Sequence, residues 1–154
     1  VDESIREEAL ILSKSVFLID EFLANEINAK NITSDSFNKE SKQVLLHGHC
    51  HQKALSSTIH TKKILSLPLN YTVSEIPSGC CGMAGSFGYE KEHYELSQKI
   101  GNQVLFPTIE KANDKVIIVA NGTSCRHQIL DGVGKIAKHP IEVLYEVLNN
   151  SLKS

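Results

Sequence analysis

The chain has 154 residues, 41% of them hydrophobic, which suits a single packed domain. Its 16 basic and 18 acidic residues nearly balance, so there is no basic face of the kind that binds nucleic acid. No apolar run approaches the roughly 18 residues of a membrane span, and no transmembrane segment is expected.

Residue 1 is Val and no signal-peptide pattern opens the chain, which therefore reads as a processed product or an excised piece of a longer polypeptide. Ile5, Ala9, Leu12, Val16, Ile19 and Leu23 recur at helical spacing and predict one amphipathic helix over residues 3–27, capped by Asp2 or Ser4. Polar residues 28–42 read as a loop and a plausible boundary. The pattern divides the chain into an N-terminal helix, residues 1–30, and an α/β domain, residues 43–154.

From residue 43 short apolar runs alternate with helical ones. Val44–Leu46, Tyr71–Ile76 and Val116–Ala120 read as strands, and Ile136-Ala137 as a short fourth. Helices are expected over His51–Leu67, ended by Pro68, and over Glu90–Ala112, with Pro107 as a kink or division point. A last helix over Ile141–Leu148 has Pro140 in its first turn. This order implies a three-layer α/β fold, a short parallel sheet of three to four strands covered by helices, with an additional N-terminal helix.

The cysteines acquire meaning on that frame. Cys50 follows the first strand, Cys80 and Cys81 the second, and Cys125 the third. In an open parallel sheet those strand ends share one edge, where ligands usually bind. A Cys80–Cys81 disulfide would be strained, because bridged α-carbons usually lie about 4.4–6.8 Å apart and neighbours only about 3.8 Å. Structural zinc sites favour C-x2–4-C pairs, which the chain lacks. Adjacent thiolates are easier to place on a multi-iron group, and four match the ligand count of one [4Fe–4S] cluster. Count and spacing put a cluster ahead of zinc, with inert buried thiols behind both.

Gly79, Gly82, Gly85 and Gly88 surround the cysteine pair in the stretch GCCGMAGSFG. In a helix interior they would cost roughly 4 kcal/mol relative to alanine, at about 1 each, so the stretch reads as a loop. Gly79 and Gly82, which bracket the pair, are candidates for close backbone approach and N–H contacts to sulfur. His47, His49 and His51 surround Cys50. Strand alternation would put the three on one face and Cys50 on the other, against a single metal holding all four. His49 is a candidate to shape the site, and Arg126, with His127 beside Cys125, a candidate to offset anionic charge.

The stretches LLHGHCHQKAL, SGCCGMAGSFGYEKEHYELSQKIGNQVLFP, ANGTSCRHQILDG and HPIEVL together resemble the cysteine-rich CCG domain over about residues 8–148. More narrowly, they resemble the C-terminal part of FAD-linked oxidase and iron–sulfur fusion proteins of the D-lactate dehydrogenase or glycolate oxidase type. The related heterodisulfide reductase binds non-cubane [4Fe–4S] clusters in two such domains. The family pattern is a cysteine, a CC pair, then CxxC. Cys50, Cys80-Cys81 and Cys125 match it, while Gly122 stands where the other cysteine of the CxxC would be.

The resemblance implies an iron–sulfur electron-transfer or redox-sensing domain of an FAD-linked 2-hydroxy-acid oxidoreductase. Cys50, Cys80, Cys81 and Cys125 would be its ligands. FAD, further cluster modules and a first CCG half would lie upstream as partners in the same protein, with residues 3–27 as the junction between tandem halves. The isolated fragment would not be catalytic alone, is expected to be empty of cluster after aerobic preparation, and would have a surface open to homodimer formation. Localisation is expected to be cytoplasmic, with peripheral attachment to the inner membrane admitted for the full protein. The rivals are a zinc-stabilised docking module and a thiol–disulfide domain cycling the CC pair.

Overall fold

In the computed structural model, which describes residues 3–149, three aliphatic runs pair into one parallel sheet. The strands are β1 (Lys42–His47), β2 (Tyr71–Glu75) and β3 (Ile117–Ala120), in the order β2-β1-β3. Leu46 pairs with Glu75 and Val119, and His47 with Ala120, so all three strands finish at one edge. The expected fourth strand is reduced to a single parallel bridge between Val119 and Lys138. The left-handed Gly134 and the helix starting at Pro140 leave too little extended chain between them for more.

Alternation along the central strand divides the core into two layers. Val44 and Leu46 join Ala24, Phe37, Ile64, Leu65, Val143 and Val147 on one face. Leu45 packs toward Met83, Leu105, Phe106, Ile118 and Ile129 on the other, together with Cys81 and Cys125. The first layer is covered by α2 (Ile19–Asn28), α4 (Ile59–Leu65) and α8 (Pro140–Val147). The second is covered by α6 (Leu105–Glu110) and α7 (Thr123–Val133), with α5 (Tyr94–Gly101) beside α7.

The helices are shorter than their apolar periodicity predicts, and serine accounts for two of the breaks. The N-terminal segment is two helices, α1 (Glu3–Ser13) and α2, parted at residues 14–18. Ser13 donates its hydroxyl to the Leu10 carbonyl at 2.9 Å, a local bond of the kind that competes with helix continuation. α1 buries none of its residues, leaving Leu10, Ile11 and Leu12 exposed. The cap expected from Asp2 lies outside the described residues.

The predicted 51–67 helix is α3 (Cys50–Leu55) followed by α4, because Ser57 Oγ accepts the Ile59 N–H at 3.1 Å and restarts the chain. The 90–112 helix divides at residues 102–104, ahead of Pro107, which then lies in the first turn of α6, where proline is tolerated. α8 begins at Pro140, with His139 and Glu142 forming a reciprocal cap. α7 has no counterpart in the predicted elements. Of its buried residues, Cys125, Gln128 and Ile129, one alone is aliphatic, so its apolar stripe is faint.

Asp20 of α2 is 2% exposed and ties this frame to the edge where the strands end. Its carboxylate accepts the Gln52 amide at 2.7 Å, the Thr61 hydroxyl, and the Asn121 amide at 3.5 Å. Asp20→Ala takes the acceptor from the buried Thr61 hydroxyl, at about 1–3 kcal/mol, while the Gln52 amide keeps the Ser57 carbonyl and Thr61 Oγ1 and the Asn121 amide keeps Thr61 Oγ1. The expected outcome is a lowered urea midpoint, largely restored by Asp20→Asn, which keeps one acceptor oxygen.

Candidate metal centre

Each strand end delivers part of one cluster of side chains. β1 closes on His47, and Gly48-His49 leads directly into Cys50 at the start of α3. β2 runs through Ser78 into the glycine loop that carries Cys80 and Cys81. β3 passes through Asn121 and Gly122 into α7, with Cys125 in its first turn. Strand alternation therefore stops at His47. Beyond it His49 caps α3 and Cys50 is its first residue, so Cys50 no longer obeys the face rule expected of an extended segment.

No disulfide involves these cysteines, and all four are free thiols. The Cys81 and Cys125 sulfurs are hydrogen-bonded at 3.3 Å, far beyond the about 2.05 Å of a disulfide bond. That bond dominates both thiols. It lowers Cys81 to about 4 against the opposing effect of burial, helped by His47 and the Met83 backbone, and it raises Cys125 well above the ordinary thiol range. One proton is thus held between two sulfurs. The Cys50 thiol is pushed up by burial first and then by its neighbour Cys80; both side chains are half-buried. Cys80 Sγ accepts the Gly82 N–H at 3.3 Å.

Two histidines reach the same place. His49 Nδ1 lies 3.6 Å from Cys125 Sγ, and burial, followed by the neighbouring His51, lowers its pKa. His47 is fully buried; its Nδ1 is 2.7 Å from Ser78 Oγ and its Nε2 has no hydrogen-bond partner. A ring nitrogen of His47 and the sulfurs of Cys81 and Cys125 all lie within 4.8 Å of one another. Thiolates with an imidazole form a donor set for a thiophilic metal, zinc or iron in a sulfide cluster. The orphaned nitrogen beside two thiols fits such a group.

The remaining candidates take distinct places. Gly82 has φ of 101°, and a Cβ there would lie 2.2 Å from the Ser97 carbonyl, so only glycine fits. Gln128, 1% exposed, fixes this turn by donating to the Cys81 carbonyl at 2.9 Å and the Ser97 carbonyl at 3.1 Å. A Cβ at Gly122 would sit 3.0 Å from Cys125 Sγ and 3.1 Å from His49 Nδ1, so that bare position faces the thiols. A Cβ at Gly79 would meet nothing within 4 Å. The Arg126 guanidinium donates to the Ala120 and Asn121 carbonyls at 3.0 and 2.8 Å and to Thr123 Oγ1 at 3.2 Å, closing the end of β3. His127 pairs with the Tyr89 hydroxyl at 2.7 Å.

The chain resembles dehydrogenase components. It is 32% identical over 106 residues to a component of the anaerobic glycerol-3-phosphate dehydrogenase of Escherichia coli K12, a match covering 69% of this chain and 26% of that protein. It is 27% identical over 135 residues to the D-2-hydroxyglutarate dehydrogenase of Pantoea ananatis, covering 87% of this chain and 13% of the relative. The D-2-hydroxyglutarate dehydrogenase of E. coli K12 is 25% identical over 135 residues, with the same coverage of 87% and 13%. The matched region is therefore a small part of each relative's length. No family model matches the chain. No solved structure matches it with significance.

The donor that periodicity misses is His47. The run of His47, His49, Cys50 and His51 draws attention to it, but alternation argues against a shared metal, and its parity with Leu45, which faces the cysteine layer, is what places it there. The signs of the thiol shifts give a test on metal-free protein. Cys81, depressed in the fold, contributes stability above its unfolded pKa, and this is lost as pH falls through about 4. Cys125, raised, contributes stability below its unfolded pKa that is lost as pH rises through its folded value. At pH 7 the ultraviolet thiolate absorbance should correspond to about one thiolate per chain. Cys81→Ser should abolish it, and Cys125→Ala should shift its titration upward by removing the dominant hydrogen bond.

Proposed function

We propose that this chain is an iron–sulfur-binding electron-transfer domain belonging to an FAD-linked 2-hydroxy-acid oxidoreductase. The observation that supports the reading is the contact of the Cys81 and Cys125 sulfurs at 3.3 Å beyond the ends of two strands, with Cys80 next to Cys81 and Cys50 just past the end of the third. These four thiolates would hold a [4Fe–4S] cluster, which when bound accepts and releases single electrons. The Gly82 N–H on Cys80 supplies a hydrogen bond of the kind that tunes such a group, and Gly79, where a Cβ would meet nothing within 4 Å, would let the backbone approach it. His49 would stand against the sulfur of Cys125.

The similarity to dehydrogenase components supports the oxidoreductase part of this proposal. In the full protein FAD and further clusters would lie upstream in the same polypeptide. The substrate would be oxidised there, and this domain would not be catalytic alone. Residues 1–30 would form a junction and 43–154 the CCG-type domain; residues 1–2 and 150–154 lie outside the described structure. The exposed apolar residues of α1 are the natural contact for the preceding domains, or for a second copy when those are missing. Among the described residues no helix is long and apolar enough to cross a membrane. The domain is proposed to work in the cytoplasm, with the full protein resting peripherally on the inner membrane.

A zinc-stabilised docking module is the second reading, favoured by the three donors of His47, Cys81 and Cys125 within 4.8 Å. Anaerobic reconstitution separates the two. Iron and sulfide analysis with Mössbauer and EPR spectra should find close to one [4Fe–4S] cluster per chain, lost in Cys81→Ser. Less than about half an equivalent, unchanged by Cys81→Ser, would overturn the cluster reading, because a cluster depends on its thiolate ligands. One tightly held zinc, with loss of fold on chelation, would support the alternative.

A further inference from the structure

We infer that His47 is a protein ligand of the centre, supplying its Nε2 as a nitrogen donor beside Cys81 and Cys125. The inference rests on the reading that these thiols hold a metal group. Four observations converge on it. The imidazole is 0% exposed, in company with Cys81 at 3% and Cys125 at 0%. Its Nδ1 is engaged by Ser78, itself 4% exposed, at 2.7 Å. Its Nε2 is buried without a hydrogen-bond partner. The ring lies within 4.8 Å of both sulfurs.

The Ser78 contact decides which nitrogen is free. With the proton on Nδ1, donated to Ser78 Oγ, Nε2 presents its lone pair. Metal-binding histidines are commonly oriented by such a second hydrogen bond. Ser78 is held in turn, because Lys53 Nζ donates to its carbonyl at 2.7 Å. A buried imidazole nitrogen with no partner carries a desolvation penalty. A metal ion on that lone pair removes the penalty. His49 is the competing nitrogen donor, but it is only partly buried and its Nδ1 already faces Cys125 at 3.6 Å.

The centre then has unlike ends. The buried end joins two sulfurs to one neutral nitrogen, and the outer end has the thiols of Cys50 and Cys80. A neutral imidazole adds no negative charge where a further thiolate would, and so holds the reduction potential of the centre higher, as histidine does in clusters with mixed histidine and cysteine ligation.

The test uses the chain loaded anaerobically with iron and sulfide and, in parallel, with zinc. In the reduced iron form, pulsed EPR should show nitrogen coupling that changes on 15N-histidine labelling, disappears in His47→Ala and persists in His49→Ala. His47→Cys should retain iron and shift the midpoint potential downward. A fully loaded cluster without imidazole coupling, and with a potential unmoved by His47→Cys, overturns the His47 assignment and leaves the cluster reading standing. If zinc binds and iron does not, X-ray absorption at the zinc edge should show imidazole scattering that His47→Ala removes. That result upholds His47 and overturns the iron reading, whereas zinc with sulfur ligation alone overturns both. Retention of neither metal likewise overturns both.

Discussion

Parallel pairing of β1 between β2 and β3 is the constraint on which the rest depends. An antiparallel partner would send its C-terminal end to the opposite edge, and one group of thiols would leave the site. With all strands parallel, the registers that set His47 opposite Ala120 and Leu46 opposite Glu75 bring three distant segments to a common edge. The helical crossovers between them bury the two apolar layers that hold this register. The Cys81–Cys125 contact, spanning 44 positions in the sequence, is therefore a consequence of sheet topology rather than of local chain geometry.

The site is also anchored unequally. Cys81 is clamped through its carbonyl by Gln128, and Cys125 is built into the first turn of α7. The same helix thus fixes both sulfurs, one through the backbone it grips and one through its own side chain. Cys80 is half-buried in the glycine loop, and Cys50, also half-buried, begins a short helix of six residues. The inner pair has preset positions, while the outer pair has fewer fixed neighbours.

The strands were legible because β-branched and aliphatic runs such as VIIVA report buried extended chain directly. From them the common edge, and the placement of all four cysteines beside it, followed without any knowledge of side-chain positions. What periodicity could not give was interruption. Ser13 and Ser57 redirect backbone hydrogen bonds locally while the apolar spacing continues across the breaks. α7 escaped because its inward face carries a small thiol, an amide and a single aliphatic residue, too faint a stripe to recur at helical spacing. The alternation rule failed between His47 and Cys50 for a related reason. It holds only while the chain stays extended, and the start of α3 at Cys50 ends that.

Two glycines near the thiols act in opposite senses. At Gly82 the backbone has positive φ and a Cβ would collide with the Ser97 carbonyl, so glycine is demanded by the fold around Cys81. At Gly122 the φ of −74° is open to any residue, and the space a Cβ would enter is bounded by the Cys125 sulfur and the His49 ring. The backbone there does not require glycine; the site does, if it is to keep that direction of approach clear. A side chain at residue 122 would therefore project between the Cys125 sulfur and the His49 ring, and glycine keeps those two groups in direct contact.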